Sequence, residues 1–315
     1  RPIIILKKSF PINGKTVLIT GASSGIGRGT YDSLDVVSVT FSSSMYIHTD
    51  MALFLSSRGV RKVVLWDLDL EGLNELKQNI EAMNGGVEVS VRRVDVSIPA
   101  EVANAAKNVQ VDVLINNAGI VTGKYLLDMT ENEIRRTMNT NGLAHFWTVR
   151  SFLPYMLKRG NECAVITISS LMGQMTGVKL TDYCASKHAA NGFHESLRLE
   201  LRALAERSNR SVVHTMLVCP YVIDTGMFDG AFEGSGKPWF MRLGLFPKLK
   251  SRYVANQIIH HLESRSHLVV LPWYFRYVPP VLHVLPASCM DWIEEFAGAR
   301  VGMKEFRGRK SVKSD

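Results

Sequence analysis

The chain has 315 residues, with 37 Lys and Arg against 29 Asp and Glu for a formal charge of +8; 46% of it is hydrophobic and 21% charged. That apolar share excludes an intrinsically disordered chain, and the length admits one large α/β domain or two small ones. Cys163, Cys184, Cys219 and Cys289 form no C-x-x-C pair; thiols in a reducing compartment are expected, not a disulfide framework. The histidines show no zinc-ligand spacing, so no metal site is expected. The positive charge is spread along the chain without interleaved aromatics, and nucleic acid is not an expected partner.

The chain opens Arg1-Pro-Ile-Ile-Ile-Leu6 before Lys7-Lys8. An opening Arg fits a processed chain or a fragment. Six residues cannot span a bilayer, which takes about 20. Residues 1–13 read either as a lead-in to the first strand or as the end of a membrane anchor with its flanking charges. The second reading places the domain on the cytosolic side.

Apolar runs then recur at 15–20, 62–66, 87–94, 111–116, 164–168 and 212–218, with a short one at 268–271. Helical patterns fill 71–83, 100–108, 131–158, 182–207 and 251–263; Thr130 and Glu133 make a capping box ahead of the third. This alternation predicts a single α/β domain over residues 14–271, a doubly wound parallel sheet with helices on both faces. Ligands bind such sheets at the carboxyl ends of the strands. Residues 272–315 form an apolar, then basic, tail. Pro272, Pro279, Pro280 and Pro286 forbid a straight spanning helix. Trp273, Tyr274, Phe275 and Tyr277 suit a membrane interface, a lid over an apolar pocket or ordinary core. The basic residues 307–313 keep a membrane-surface role open.

The first strand runs into Thr20-Gly21-Ala-Ser23-Ser24-Gly25-Ile26-Gly27. No Gly-Lys-Ser/Thr follows, so it is not a P-loop. Glycines here let backbone amides approach a pyrophosphate at a helix N-terminus. Asp67 closes the second strand, where a carboxylate accepts from a ribose 2′-hydroxyl and repels a 2′-phosphate, favouring NAD over NADP. The spacing from Gly21 to Asp67 is more than twice the usual gap of about 20 residues. The excess, residues 30–51, is Ser/Thr-rich and interrupts the first helix, which resumes at Ala52. It reads as a surface loop or as translated non-coding sequence. The second is preferred, because an excursion inside this helix would weaken the phosphate site.

In order and register, these motifs resemble the short-chain dehydrogenase/reductase family, Rossmann-type in fold, from about Gly14 to Leu271. The glycine turn matches; so do Asp95-Val96, Asn116-Asn117-Ala118-Gly119, Asn141, Ser170 and Tyr183-x-x-x-Lys187. Cys219-Pro220-Tyr221 departs from the family's common Pro-Gly. The phrases HFWTVRSFLPYM, YCASKHA and CPYVIDTGMF resemble the branch of epidermal retinal, retinol and 17β-hydroxysteroid dehydrogenases.

The resemblance implies a catalytic set of Asn141, Ser170, Tyr183 and Lys187. It implies cofactor contacts from Gly21, Ser23, Ser24, Gly25, Ile26, Gly27, Asp67, Asp95, Val96, Asn117, Ala118, Gly119, Tyr183, Lys187, Ile223 and Thr225. It further implies a lipophilic alcohol or ketone substrate and homodimers through the helices near 131–158 and 182–207. The protein would reside on the endoplasmic reticulum membrane or a lipid droplet, facing the cytosol.

Tyrosine's ordinary pKa of about 10 is too high for a base at neutral pH; stabilising the phenolate by about 4 kcal/mol brings it near 7. Lys187, one helical turn on, shares the face of Tyr183 and supplies positive charge. Met227, Phe228, Phe232, Trp239, Phe240, Met241 and Phe246 are expected to line the substrate side. The rival expectation is a catalytically inactive protein of this fold serving as a lipid-surface scaffold, motivated by the 30–51 excess and the apolar tail.

Overall fold

The computed structural model describes residues 9–23, 47–83, 86–228, 230–231, 248–286, 288–289, 303 and 306–307. Its strands are β1 (Thr16–Thr20), β2 (Lys62–Asp67), β3 (Glu88–Arg93), β4 (Val113–Asn116), β5 (Ala164–Ile168), β6 (His214–Pro220) and β7 (Leu268–Leu271). They form one parallel sheet in the order β3-β2-β1-β4-β5-β6-β7. The helices are α1 (Ile47–Ser57), α2 (Leu70–Met83), α3 (Pro99–Ala106), α4 (Glu131–Met138), α5 (Ala144–Arg159), α6 (Thr181–Ser208), α7 (Ser251–Glu263) and α8 (Val278–His283).

Strand alternation assigns the two faces. Val17 and Ile19 of β1 pack with Met51 and Leu55 of α1, Leu73 and Ile80 of α2, and Ile258 and Ile259 of α7. Leu18, between them, packs on the opposite face with Val102 of α3, Phe152 of α5 and Leu197 of α6. Both faces of β1 are therefore covered, which is why its sequence is apolar without alternation. The strand order reverses at β1, which pairs with β2 on one side and β4 on the other. That switch point opens a crevice at the strand carboxyl ends.

Two elements differ from the sequence expectation. The helix read as continuous over 131–158 is broken by a π-turn, Asn139–Leu143, between α4 and α5. Its cause is tertiary: Asn141 turns inward to bond Ile120 and Ser186, and these bonds hold the chain out of α register. The other difference lies in the 30–51 stretch. Helix α1 begins at Ile47, so its last residues belong to the packed fold. Met51 is fully buried, and Asp50 accepts from the Ser251 hydroxyl at 2.6 Å. Residues 30–46 and 1–8 lie outside the described residues. The capping box is present as expected, with Glu133 N–H donating to Thr130 Oγ1 and Thr130 N–H to Glu133 Oε2.

Phe152, almost fully buried, lies with its ring 5.7 Å from that of Trp66 and ties α5 to β2. Phe152→Ala is expected to cost about 3–5 kcal/mol, read as a lower urea midpoint at unchanged m-value.

Candidate active site

Beside the switch point, Thr20 and Asn117 staple β1 to β4. Thr20 Oγ1 accepts from the N–H groups of Asn117 (3.0 Å) and Ala118 (3.2 Å), and Asn117 Nδ2 donates to the carbonyls of Thr20 and Gly21. Gly21 adopts φ +69°, and a Cβ there would come within 2.7 Å of Ala118 Cα. Only glycine fits this approach. Asp67 Oδ2 accepts from Ser23 N–H at 3.0 Å, and Oδ1 from Leu68 and Asp69 N–H. The expected ribose acid thus also anchors the start of the glycine turn to β2. Ser24, Gly25, Ile26 and Gly27 lie outside the described residues. Asp95 accepts from both the N–H and the hydroxyl of Ser97, shaping the approach to α3; Val96 is buried with Trp66 and Val102.

One cleft is bordered by Gly21, Asn117, Gly119, Ser170, Tyr183, Lys187, Ile223 and Thr225, together with Ile168, Ser169, Pro220, Tyr221, Met227 and Phe228. Asp67, Asp95, Val96 and Ala118 are not in its lining. Asn141 stands just behind it: a Cβ on Gly119 would lie 3.4 Å from Asn141 Oδ1 and 3.6 Å from Lys187 Nζ. Phe232, Trp239, Phe240, Met241 and Phe246 fall outside the described residues.

Ser170 follows β5 in extended conformation, and its Oγ accepts from Met172 N–H at 3.1 Å, opening a 3-10 turn, Leu171–Gly173. Gly173 packs against α6 so tightly that a Cβ would lie 2.9 Å from the Lys187 carbonyl and from Ser169 Oγ. Tyr183 and Lys187 lie one turn apart on α6, both buried. Lys187 Nζ donates to the Ile168 carbonyl at 3.0 Å and sits 5.8 Å from the centre of the Tyr183 ring. The Phe228 ring meets that of Tyr183 edge-on at 5.8 Å.

Burial pushes the Lys187 ammonium down to about 8, with Cys219 acting weakly the other way. It pushes the Tyr183 phenol up, opposed by a hydrogen bond with Ser170. The sequence reading expected a phenol lowered by the lysine's charge together with that of a bound nicotinamide. In the chain alone desolvation dominates, and the site holds a neutral phenol, the acid form.

Tyr221, the departure from the family pattern, lines the cleft and stacks on Phe275 at 5.0 Å and 19°. Its N–H donates to the carbonyl of Leu271, the last residue of β7, and its ring stack ties the end of β6 to the aromatic turn Trp273–Arg276. Sequence reasoning missed Met303 and Phe306. Met303 is buried with Leu180, Tyr183, Cys184 and Ala231, and Phe306 packs beside them. Phe306 fills the space where a Gly123 side chain would stand, and Lys179 Nζ reaches the Met303 carbonyl. No local pattern marks such long-range packing.

A doubly wound parallel sheet with Ser, Tyr and Lys gathered at its switch-point crevice defines a dehydrogenase-type α/β protein. The profile of the family described as "short chain dehydrogenase" matches residues 35–235, starting after the glycine turn. The chain belongs to this family, in the branch of retinol and steroid dehydrogenases. It is 32% identical to short-chain dehydrogenase/reductase family 16C member 6 of Bos taurus, over 98% of this chain and 88% of that one. Retinol dehydrogenase 10 of Homo sapiens is 32% identical (96% and 88% covered), and estradiol 17-beta-dehydrogenase 11 of Pongo abelii 31% (90% and 83%). Among solved structures, a short-chain dehydrogenase/reductase from Burkholderia phymatum in complex with NAD superposes with a TM-score of 0.68 at 25% identity. That likeness covers 87% of this chain and 94% of that one.

A lysine held at about 8 in the fold and near 10.4 when unfolded makes protonation unfavourable to folding. The penalty is fully present below pH 8 and fades as pH rises toward the unfolded value, because the unfolded chain then binds more protons. Between pH 7 and 9.5 the protein is expected to gain about 2 kcal/mol relative to Lys187→Met, measured by urea unfolding of both across that range.

Proposed function

We propose that the protein is an oxidoreductase that interconverts a lipophilic alcohol, retinol- or steroid-like, and its carbonyl, using a nicotinamide cofactor. The observation that carries this reading is the convergence of Ser170, Tyr183 and Lys187 on one cleft, with Asn141 directly behind it. The residues present fit the cofactor. Gly21 and Gly119 border the cleft without side chains of their own, Gly21 because Ala118 leaves no room for one, and Lys187 presents a charge with no carboxylate partner among the described residues. Gly21 and Ser23 belong to the phosphate turn; Asn117, Gly119, Ile223 and Thr225 would hold the nicotinamide end, and Lys187 its ribose. When bound, the cofactor supplies the hydride acceptor or donor.

The chain's own residues handle the proton. Ser170 positions the substrate oxygen by a hydrogen bond. Tyr183 gives its phenolic proton to that oxygen during carbonyl reduction, or takes it during alcohol oxidation. A phenolate formed beside the Lys187 ammonium is stabilised by its charge, and the ammonium by the phenolate's, which offsets the burial that raises one and lowers the other. Asn141 holds the backbone of Ile120 and keeps the wall beside Lys187 in place. Met227 and Phe228 provide an apolar wall suited to a lipophilic substrate.

Two further readings accompany this one. Exposed Leu143 at the end of the π-turn, Phe146 on α5, and Leu199 and Leu204 on α6 support a homodimer. Exposed Trp273, Tyr277, Val281 and Val284 on one lobe support contact with a membrane or lipid-droplet surface, on the cytosolic side of the endoplasmic reticulum. No helix among the described residues is long and apolar enough to cross a membrane.

Titration of purified protein following nicotinamide fluorescence tests the cofactor. Because of Asp67, NADH is expected to bind about tenfold more tightly than NADPH; equal affinities would remove Asp67 from that role. Binding of neither, with adhesion to lipid vesicles retained, would favour the inactive scaffold. Tyr183→Phe is expected to lower turnover of retinal or a steroid ketone by at least about 10²-fold with NADH binding kept. Retained turnover would remove Tyr183 as the acid–base residue.

A further inference from the structure

We propose that Tyr221 sets the substrate class: its ring closes one flank of the reacting carbon, so that primary alcohols and their aldehydes are taken in preference to secondary alcohols and ketones. This deepens, and rests on, the roles of Ser170 and Tyr183 given above. Tyr221 follows Pro220, the last residue of β6, and borders the cleft. Its backbone is pinned on both sides. The Tyr221 N–H donates to the Leu271 carbonyl at 2.7 Å, and the next carbonyl, that of Val222, accepts from Leu249 N–H at 2.9 Å. Its ring stacks on Phe275, centroids 5.0 Å apart and planes within 19°. Phe275 is itself 5% exposed, packed with Leu217 and Cys219 of β6 and Val270 of β7. A ring stacked on a partner that is anchored to two strands keeps one orientation.

The same cluster contains Leu171, the residue after Ser170. Leu171 opens the 3-10 turn in which Met172 N–H donates to Ser170 Oγ, and the close packing of Gly173 on α6 holds that turn in place. Tyr221 therefore stands on the Ser170 side of the cleft. Phe228 belongs to a different cluster, with Leu180, Tyr183 and Met303, and its ring meets that of Tyr183 edge-on. A carbonyl oxygen held between Ser170 and Tyr183 directs one substituent of its carbon toward each flank. The Phe228 flank, which Met227 also borders, is apolar and takes the chain. The Tyr221 flank carries a fixed ring and leaves room for hydrogen. An aldehyde carbon bears one chain and one hydrogen, whereas a ketone carbon bears two chains. In the reduction the aldehyde carbon gains a hydride from NADH and its oxygen gains the Tyr183 proton, giving a primary alcohol and NAD⁺.

The test uses the full chain with NADH and two matched probes: all-trans-retinal, and the methyl ketone in which methyl replaces its aldehyde hydrogen. kcat/KM for retinal is expected to exceed that for the methyl ketone by at least about 20-fold. Tyr221→Ala is expected to shrink this ratio at least about tenfold, with the Kd for NADH kept within about twofold. Tyr221→Phe keeps the ring and is expected to hold the ratio within about twofold of the parent. Should Tyr221→Ala not fold, Tyr221→Val, apolar but without a ring, is read in its place. A smaller parent ratio, a smaller change on losing the ring, or faster turnover of a steroid ketone than of retinal overturns the proposal. Reduction of none of these carbonyls by the unaltered protein, or full activity in Tyr183→Phe, would sink the underlying reading as well. Retinal reduced through Tyr183, at a ratio indifferent to Tyr221, would sink this one alone.

Discussion

A lysine ammonium taken out of water sets the terms for its neighbourhood. Lys187 is 4% exposed and donates to a backbone carbonyl, with no carboxylate partner among the described residues. Isolated burial of a charge is expensive unless fixed dipoles replace the lost hydration. The residues around it follow from that constraint: the Ile168 carbonyl accepts from it, and Ser170 and Asn141 stand near without charge. Nearby Tyr183 is shifted toward its neutral form. An acid placed here would have paired with the lysine and cancelled its charge.

The sheet supplies the rigidity that such a site requires. Lys187 hangs from α6, but its acceptor is the last residue of β5, and the wall beside it follows β4. The staple between Thr20 and Asn117 fixes where β1 and β4 part, and Gly21 passes over Ala118 with no room for a side chain. Strand ends, which cannot shift without breaking the ladder, therefore carry the polar groups. The helix contributes the titratable ones.

Much of this was legible from residues alone. Strands buried on both faces leave unbroken apolar runs, so β1, β5 and β6 stood out, and the Thr130–Glu133 capping box announced α4. Asn141, Ser170, Tyr183 and Lys187 were picked out by resemblance to the family's motifs; spacing alone put only Tyr183 and Lys187 on one helix face. What escaped depends on contacts distant in sequence. Hydrophobic periodicity over 131–158 is nearly blind to one π-turn, whose cause is the bond from Asn141 to Ile120 on another segment. The burial that raises the Tyr183 phenol in the chain alone was not legible either, because neighbours can be counted from spacing and desolvation cannot. The Ser/Thr-rich character of 30–51 hid the fact that its end carries Asp50 and Met51, which are partnered and buried in the fold.

The packing of Met303 and Phe306 beside Tyr183, with Phe306 seated over Gly123, has a consequence for biogenesis. A ribosome delivers the chain from residue 1 upward, so the sheet, the staple and α6 all emerge before these two side chains exist. The apolar packing behind Tyr183 is thus among the last to be completed. A nascent chain that already holds Ser170, Tyr183 and Lys187 therefore still lacks the two side chains that pack against Leu180, Tyr183 and Cys184.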